Sequence, residues 1–240
     1  MQNNALDIQS HCVTIHEAIK TMQDLNLSNP STFTTLPFPS FLPVPTQRFK
    51  HETVNNLHHF KYMGRYPFGE LCRRIQDVNF LMGTESIYLY GTSGCGKFHI
   101  LAALAYKLVH EGSRVFYIPD CSSFLLWPEE TMWTALNFAF HDFNLRAFIK
   151  DRHNVNEMIQ FMSRYEDLYI IVDQVDALES DKHDIRKNKK TQALDWLDAL
   201  RFKHRYIFSA SANESSNREA DRKQSGIMIH QIFGGMSEVC

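Results

Sequence analysis

No apolar run in the sequence approaches the roughly 20 residues that span a bilayer. Met1 to Ser10 carry neither a basic stretch nor an apolar stretch, so no signal peptide is expected and placement by sequence alone is intracellular, with no membrane partner. Cysteine is sparse. Cys12, Cys72, Cys95, Cys121 and Cys240 are irregularly spaced with no C-x-x-C pair, which suggests neither a zinc site nor a disulfide framework and points to reduced thiols. The twelve histidines are scattered, with only His58 and His59 adjacent, so surface or core histidines are expected rather than a metal site. Excess charge of one sign is also missing. A net charge of −2 leaves no basic footprint for nucleic acid over the whole chain, and only a local patch stays open. There is no internal repeat and no recognisable nuclease motif. What remains is 240 residues, 44% hydrophobic and 22% charged: a soluble globular composition with one sizeable core and an appendage.

Three stretches differ in pattern. Residues 1–47 pair a helix with a proline-rich linker. Ile8, Cys12, Ile15, Ile19 and Met22 recur every three or four positions and share one helix face, docked on its own domain or offered to a partner. Pro30, Pro37, Pro39, Pro43 and Pro45 then remove donors and fix φ, which excludes a helix or an inner strand. Phe33, Phe38 and Phe41 are candidates to pin that linker to a surface. Residues 48–84 read as a helical lead-in with Phe68, Leu71, Cys72, Ile75 and Val78 as its buried stripe. Residues 85–240 alternate strands and helices. Apolar runs at Ile87–Tyr90, Val115–Ile118, Leu168–Val172 and Tyr206–Ala210 predict strands. Helical patterns fall at Phe98–His110, Thr131–Lys150, Val155–Arg164 and Ala193–Phe202. Continuous apolar runs between helices predict a parallel central sheet covered on both faces.

The chemistry lies in two places. Gly91-Thr92-Ser93-Gly94-Cys95-Gly96-Lys97-Phe98 follows the first strand and opens the first helix, matching the Walker A pattern G-x-x-x-x-G-K-[ST] up to its last position. Glycines let backbone N–H groups converge on an oxyanion, the helix N-terminus adds its positive end, and Lys97 supplies a mobile charge for phosphates. Phe98 departs from the pattern, which wants Ser or Thr because that hydroxyl ligates Mg²⁺. Ile170-Ile171-Val172-Asp173-Gln174 has the form of Walker B, with Asp173 as the magnesium acid. Gln174 stands where a glutamate base is usual. An amide orients water but does not take its proton, and Asp176 is the candidate substitute. Asn213, beyond the fourth strand, occupies a sensor-1 position, although Asn also ends strands for turn chemistry. The basic run Lys182, Arg186, Lys187, Lys189 and Lys190 reads first as a solvated loop, with phosphate or nucleic-acid contact as the alternative. Arg218, Arg222 and Lys223 form a second basic group, from which one side chain could reach a γ-phosphate.

These residues predict a three-layer ASCE-type P-loop NTPase fold, with the Tyr206–Ala210 strand between the Ile87–Tyr90 and Leu168–Val172 strands. Lack of an Asn-Lys-x-Asp motif favours ATP over GTP. The expected activity is ATP binding with impaired Mg²⁺ use and impaired hydrolysis. A competent ATPase with a replaced metal ligand, and a non-binding interaction scaffold, are the alternatives.

Tyr90 to Lys97, Tyr117-Ile118-Pro119-Asp120-Cys121, Ile171-Val172-Asp173-Gln174 with Ala177-Leu178, and Phe208 to Asn213 together resemble the P-loop domain of Crinkler (CRN)-type effectors of fungi and oomycetes. The likeness runs from about Arg65 onward. It implies an AAA/STAND-like nucleotide-driven module, joined to a protein partner or an effector domain, secreted and acting in a host cell or nucleus. Asp173-Gln174 fits the family pattern and Phe98 departs from it. The residues after Asn213 are too few for a helical lid, so neither lid nor output domain is evident.

Overall fold

The computed structural model describes residues 3–42, 51–77, 86–92, 94–179, 186–210 and 227–232, with the side chains of 3–7 and 51 left aside. In chain order the elements are α1 (Asn3–Lys20), β1 (Phe33–Pro37), β2 (His51–Val54), β3 (Leu57–Met63), α2 (Tyr66–Asp77), β4 (Ser86–Gly91), α3 (Lys97–His110), β5 (Arg114–Ile118), α4 (Cys121–Leu126), α5 (Pro128–Ala139), α6 (Val155–Met162), β6 (Leu168–Val172), α7 (Lys187–Arg201), β7 (Arg205–Ser209) and β8 (Ile227–Ile232). Two 3₁₀ turns, Leu145–Ala147 and Val175–Leu178, lie between them.

Five strands form a parallel sheet in the order β5-β6-β7-β4-β8. β7 lies between β4 and β6, as the sequence predicts, pairing Ile207 with both Ile87 and Ile171. Side chains alternate across the sheet and build two cores. Ile87, Leu89, Val115, Tyr117, Ile171 and Ile207 face one core, shared with α1, α2 and α3. Tyr88, Phe116, Ile118, Ile170, Val172 and Phe208 face the other, shared with α4, α5, α6 and α7. Both faces are therefore covered, which explains why these strands read as unbroken apolar runs.

The α1 stripe does face inward: Cys12, Ile15 and Ile19 are buried in the first core, and Ile8 and Met22 pack against it. Burying Ile15 and Ile19 contributes roughly 1.5–3 kcal/mol each. α1 is thus docked on its own chain.

Four expectations need correction. The helical lead-in is helical only from Tyr66. Its first part is a hairpin, β2–β3, closed by Asn55 and Asn56 at φ 52° and 62°. Two consecutive residues with positive φ match the right-handed twist of paired strands, and asparagine tolerates that conformation. α2 buries Phe68, Leu71 and Ile75, leaves Cys72 half-buried, and Val78 lies outside the described residues. The proline-rich linker contains an edge strand, β1, which pairs antiparallel with β3 from Phe33↔Met63 to Pro37↔His59. An edge accepts proline because one side of the strand needs no donors. Phe38 is buried beside it while Phe33 is exposed, so one of the three aromatics does most of the pinning. The helix expected to reach Lys150 stops at Ala139. Beyond it, Phe140 and Phe143 turn onto Tyr165 at 4.8 and 5.8 Å, and Asp142 forms a two-pronged pair with Arg114 at 2.7 and 2.8 Å. Finally, α7 begins at Lys187, earlier than expected, and takes in Lys189 and Lys190 of the basic run. β8 adds a fifth strand that the sequence pattern does not mark.

Among the described residues no helix is long and apolar enough to cross a membrane.

Candidate phosphate-binding site

β4 ends at Gly91, and the chain turns directly into α3. The turn needs its glycines. A Cβ on Gly91 would lie 2.4 Å from the Ile232 carbonyl oxygen of β8 and 2.7 Å from Cys95 Sγ. Gly94 and Gly96 have φ of 75° and 80°, the left-handed region open to glycine. Gly96 is the N-cap of α3, so no side chain caps the helix, and its first turn holds no acid. The first N–H groups and the positive dipole end are thus offered to whatever anion lies before the helix.

Lys97 is the first residue of α3 and only 8% exposed. Its ammonium folds back to donate to the Gly91 carbonyl at 2.6 Å and the Thr92 carbonyl at 3.3 Å. Thr92 itself is exposed. Lys97 therefore sits at the strand-to-helix turn, stored on backbone oxygens that an incoming phosphate oxygen can replace.

Asp173 follows β6 at the same carboxyl edge and is 2% exposed. Its N–H donates to Ile118 O at 2.9 Å, and its carbonyl accepts from Cys121 N at 3.1 Å, which ties it to the end of β5. The Ser209 hydroxyl donates to Asp173 Oδ1. Ser209 is fully buried at the tip of β7, in register with Leu89 of β4, so the middle strand brings the acid and the loop strand together. Motif order singles out Asn213 and not Ser209. A signal for Ser209 is nevertheless present: a hydroxyl ending the otherwise apolar run Tyr206-Ile207-Phe208.

Gln174 has φ 62° and ψ 49° and starts the 3₁₀ turn that carries Asp176, which is half-buried. A left-handed non-glycine residue beside an acid is a strained position of the kind found at working sites. Phe98 is half-buried and packs against the first core, its ring 4.5 Å from His99. Burial, with the charge of Arg65 adding to it, depresses the His99 pKa to about 4. Ser93, Lys182, Asn213, Arg218, Arg222 and Lys223 lie outside the described residues.

One residue at the loop carries no sequence signal. Arg65, just before α2, donates from Nη1 to the Cys95 carbonyl, and its guanidinium lies beside Gly96. Nothing in its local sequence marks it, because only tertiary packing brings it there.

Two kinds of ligand can be weighed against these groups. A phosphate fits: a helix start with no side-chain cap and no acid in its first turn, and a lysine held on replaceable carbonyls. For Mg²⁺, the hydroxyl that the usual P-loop supplies is absent at Phe98, while Asp173 keeps a second carboxylate oxygen, Oδ2, beside the one that accepts from Ser209. Among the described residues no group of three His, Cys, Asp or Glu could hold a metal ion.

A separate cavity of about 770 Å³ lies between α1, the hairpin and α4–α5, lined by Phe38, Phe41, Leu42, Leu126 and Trp127 among others. No residue of the phosphate loop lines it.

The parallel sheet with an extra strand between the loop strand and the acid strand, together with Gly91–Lys97 at the strand-to-helix turn, defines an ASCE-type P-loop NTPase fold. No family model matches the sequence, and no curated protein matches it. Among solved structures, AMPPCP-bound DnaA from Aquifex aeolicus overlays with a TM-score of 0.37 at 16% identity, over 68% of this chain and 45% of that one. PCH-2 from C. elegans overlays at 0.37 and 17% identity, over 70% and 41%, and DnaI at 0.35 and 16%, over 70% and 79%. The match thus spans less than half the length of DnaA and of PCH-2. Overlays this loose carry no weight; strand order and loop geometry identify the fold.

Proposed function

We propose that this chain is an ATP-binding P-loop module in which binding is retained and hydrolysis is impaired. The observation that carries the reading is the Lys97 ammonium, held on the Gly91 and Thr92 carbonyls at the uncapped start of α3. The loop backbone and Lys97 hold the β- and γ-phosphates, while Asp173 and Ser209 form the acid side of the site. Gln174 orients water, with Asp176 nearby as the substitute acid, and Asn213 serves as sensor. Phe98 supplies no metal ligand, and the metal acts mainly on the charge that develops during phosphoryl transfer, so turnover suffers more than binding. The choice of adenine over guanine rests on the absent Asn-Lys-x-Asp motif.

The Crinkler-type resemblance extends this to a regulatory role. Nucleotide binding orders the loops at the carboxyl edge and biases a protein partner or a joined effector domain in a host cell. Its support is the combination of Tyr90–Lys97 with Ile171–Gln174 and Phe208–Asn213.

Titration calorimetry with ATP, with and without Mg²⁺, tests the reading. ATP should bind in both conditions, with turnover near background. Robust Mg²⁺-dependent turnover by the unmodified chain would replace it with the competent ATPase, and absence of ATP binding would replace it with the scaffold.

A further inference from the structure

We propose that Arg65 is a second phosphate-binding cation of the site, placing its guanidinium on the nucleotide's polyphosphate where a metal ion would otherwise neutralise charge. This rests on the nucleotide-binding reading above.

The residue is held in place by its backbone. Its N–H donates to Leu27 O at 3.1 Å and its carbonyl accepts from Phe68 N at 3.0 Å. The preceding Gly64 lies so near Asn29 that a Cβ there would be 2.0 Å from the Asn29 carbonyl oxygen. The small antiparallel sheet and the start of α2 therefore aim the side chain at the loop. Its two terminal nitrogens come within 2.5 and 2.8 Å of where Gly96 would carry a Cβ. Gly96 thus serves two purposes: a left-handed turn, and room for a guanidinium.

The electrostatics of this placement are unfavourable without a ligand. Arg65 is half-buried, and among the described residues its guanidinium donates to the neutral Cys95 carbonyl. Among the described residues no carboxylate pairs with Arg65 or with Lys97. Both cations lie at the N-terminus of α3, whose dipole end is itself positive. Two side-chain charges and a helix start of the same sign converge with no counter-charge of their own. A polyphosphate supplies it. Guanidinium presents its N–H groups as a planar fork that matches two phosphate oxygens, and these charge-assisted bonds are the strong ones. The role also answers the Mg²⁺ ligand missing at Phe98. Phe98 removes an oxygen ligand, and a fixed guanidinium neutralises phosphate charge with no coordination shell.

The test is calorimetric titration of the whole chain with ATP, ADP and inorganic tripolyphosphate, each in EDTA and in excess Mg²⁺. Wild type is compared with Arg65→Ala, Arg65→Gln and Arg65→Lys. Arg65→Ala should weaken ATP and tripolyphosphate roughly ten- to a hundredfold in EDTA, the range expected for losing charge-assisted bonds. The loss should shrink in Mg²⁺, which neutralises the same oxygens, and should be smaller for ADP. Arg65→Lys should recover part of it. Unchanged affinity of Arg65→Ala in EDTA overturns the proposal. So does an equal loss for ATP and ADP with and without metal, which would make Arg65 a brace for the loop only. If wild type binds ATP but Arg65→Ala does not fold, Arg65→Gln keeps the stem and an amide donor and must show the same pattern. If wild type binds none of the three probes, the nucleotide reading falls and this inference falls with it.

Discussion

The loop before α3 and the turn after β6 meet at one edge of the sheet but are built differently. In the loop, Lys97 finds its acceptors at Gly91 and Thr92, within its own motif. The acid side is assembled from afar: Asp173 is held by Ile118 and Cys121 from the end of β5 and by Ser209 from β7. The first takes these bonds from one strand end and one helix start, on a strand that is itself seated between β7 and β8. The second needs three strands in register. The hydrogen bonds of Lys97 are therefore local, and those of Asp173 are a property of the whole sheet.

Substitutions can break that division, and the largest effect is expected at Lys97. Lys97→Ala should weaken ATP binding by a hundredfold or more, on the order of 3 kcal/mol for removing a charge-assisted hydrogen bond from a shielded site. Unchanged affinity in that variant would mean that the loop does not bind phosphate. Asp173→Ala should act on stability. It leaves the buried Ser209 hydroxyl without its acceptor, at a cost of about 1–3 kcal/mol, while ATP affinity in EDTA holds. Thermal melting and titration of the same sample separate the two, and a variant that melts normally but loses ATP reverses the assignment. Phe98→Ser should change Mg²⁺ dependence: ATP affinity in Mg²⁺ rises over that in EDTA by about tenfold, and turnover rises with it. A serine variant with no response to Mg²⁺ would leave Phe98 as a packing residue.

A further prediction lies away from the site, at the seam between α1 and α5. His16 stacks on His141 at 3.6 Å and bonds Phe138 O at 2.9 Å. Burial, then the neighbouring His141, depresses its pKa to about 3, and His141 is lowered too, again by burial first. Lys20 pushes both the same way and Asp142 opposes. Both folded pKa values lie below the unfolded one, so the stabilisation is complete above about pH 6.5 and is lost as pH falls below it. His16 alone should give a slope near 1.4 kcal/mol per pH unit between about pH 6 and 4. His16→Phe should flatten that slope in chemical denaturation, and an unchanged slope would rule His16 out. The smallest effect concerns the hairpin. Asn56→Gly suits its positive φ and should stabilise by about 0.5 kcal/mol without touching ATP affinity.

Sequence reading succeeds where a signal is contiguous along the chain and fails where it depends on tertiary contacts. β4, β5, β6 and β7 are legible because burial on both faces makes them unbroken apolar runs, and the loop because its pattern is contiguous. The hairpin is obscured by the exposed His58 and Lys61 and the half-buried His59, which break up the buried Leu57, Phe60 and Tyr62. Its Asn55-Asn56 turn is a readable signal. β8 mixes His230 and Gln231 with its isoleucines, so it does not read as a buried strand, although His230 is buried and bonds Pro67 O at 3.1 Å. Arg65 and Ser209 depend on tertiary contacts, which no local window contains.

The position of β4 has a consequence in time. Both of its partners come late in the chain: Ser86 pairs with Tyr206 on one side and Ile227 on the other. During synthesis the strand that carries the phosphate loop emerges early and waits, apolar and unpaired, for about half the chain to follow. Closing contacts over so long a span is entropically costly and slow, and a waiting strand is exposed to wrong partners. The setting of the phosphate-loop strand is therefore among the last features to mature. A ribosome-stalled chain ending before β7 should hold α3 and β5 without a working loop.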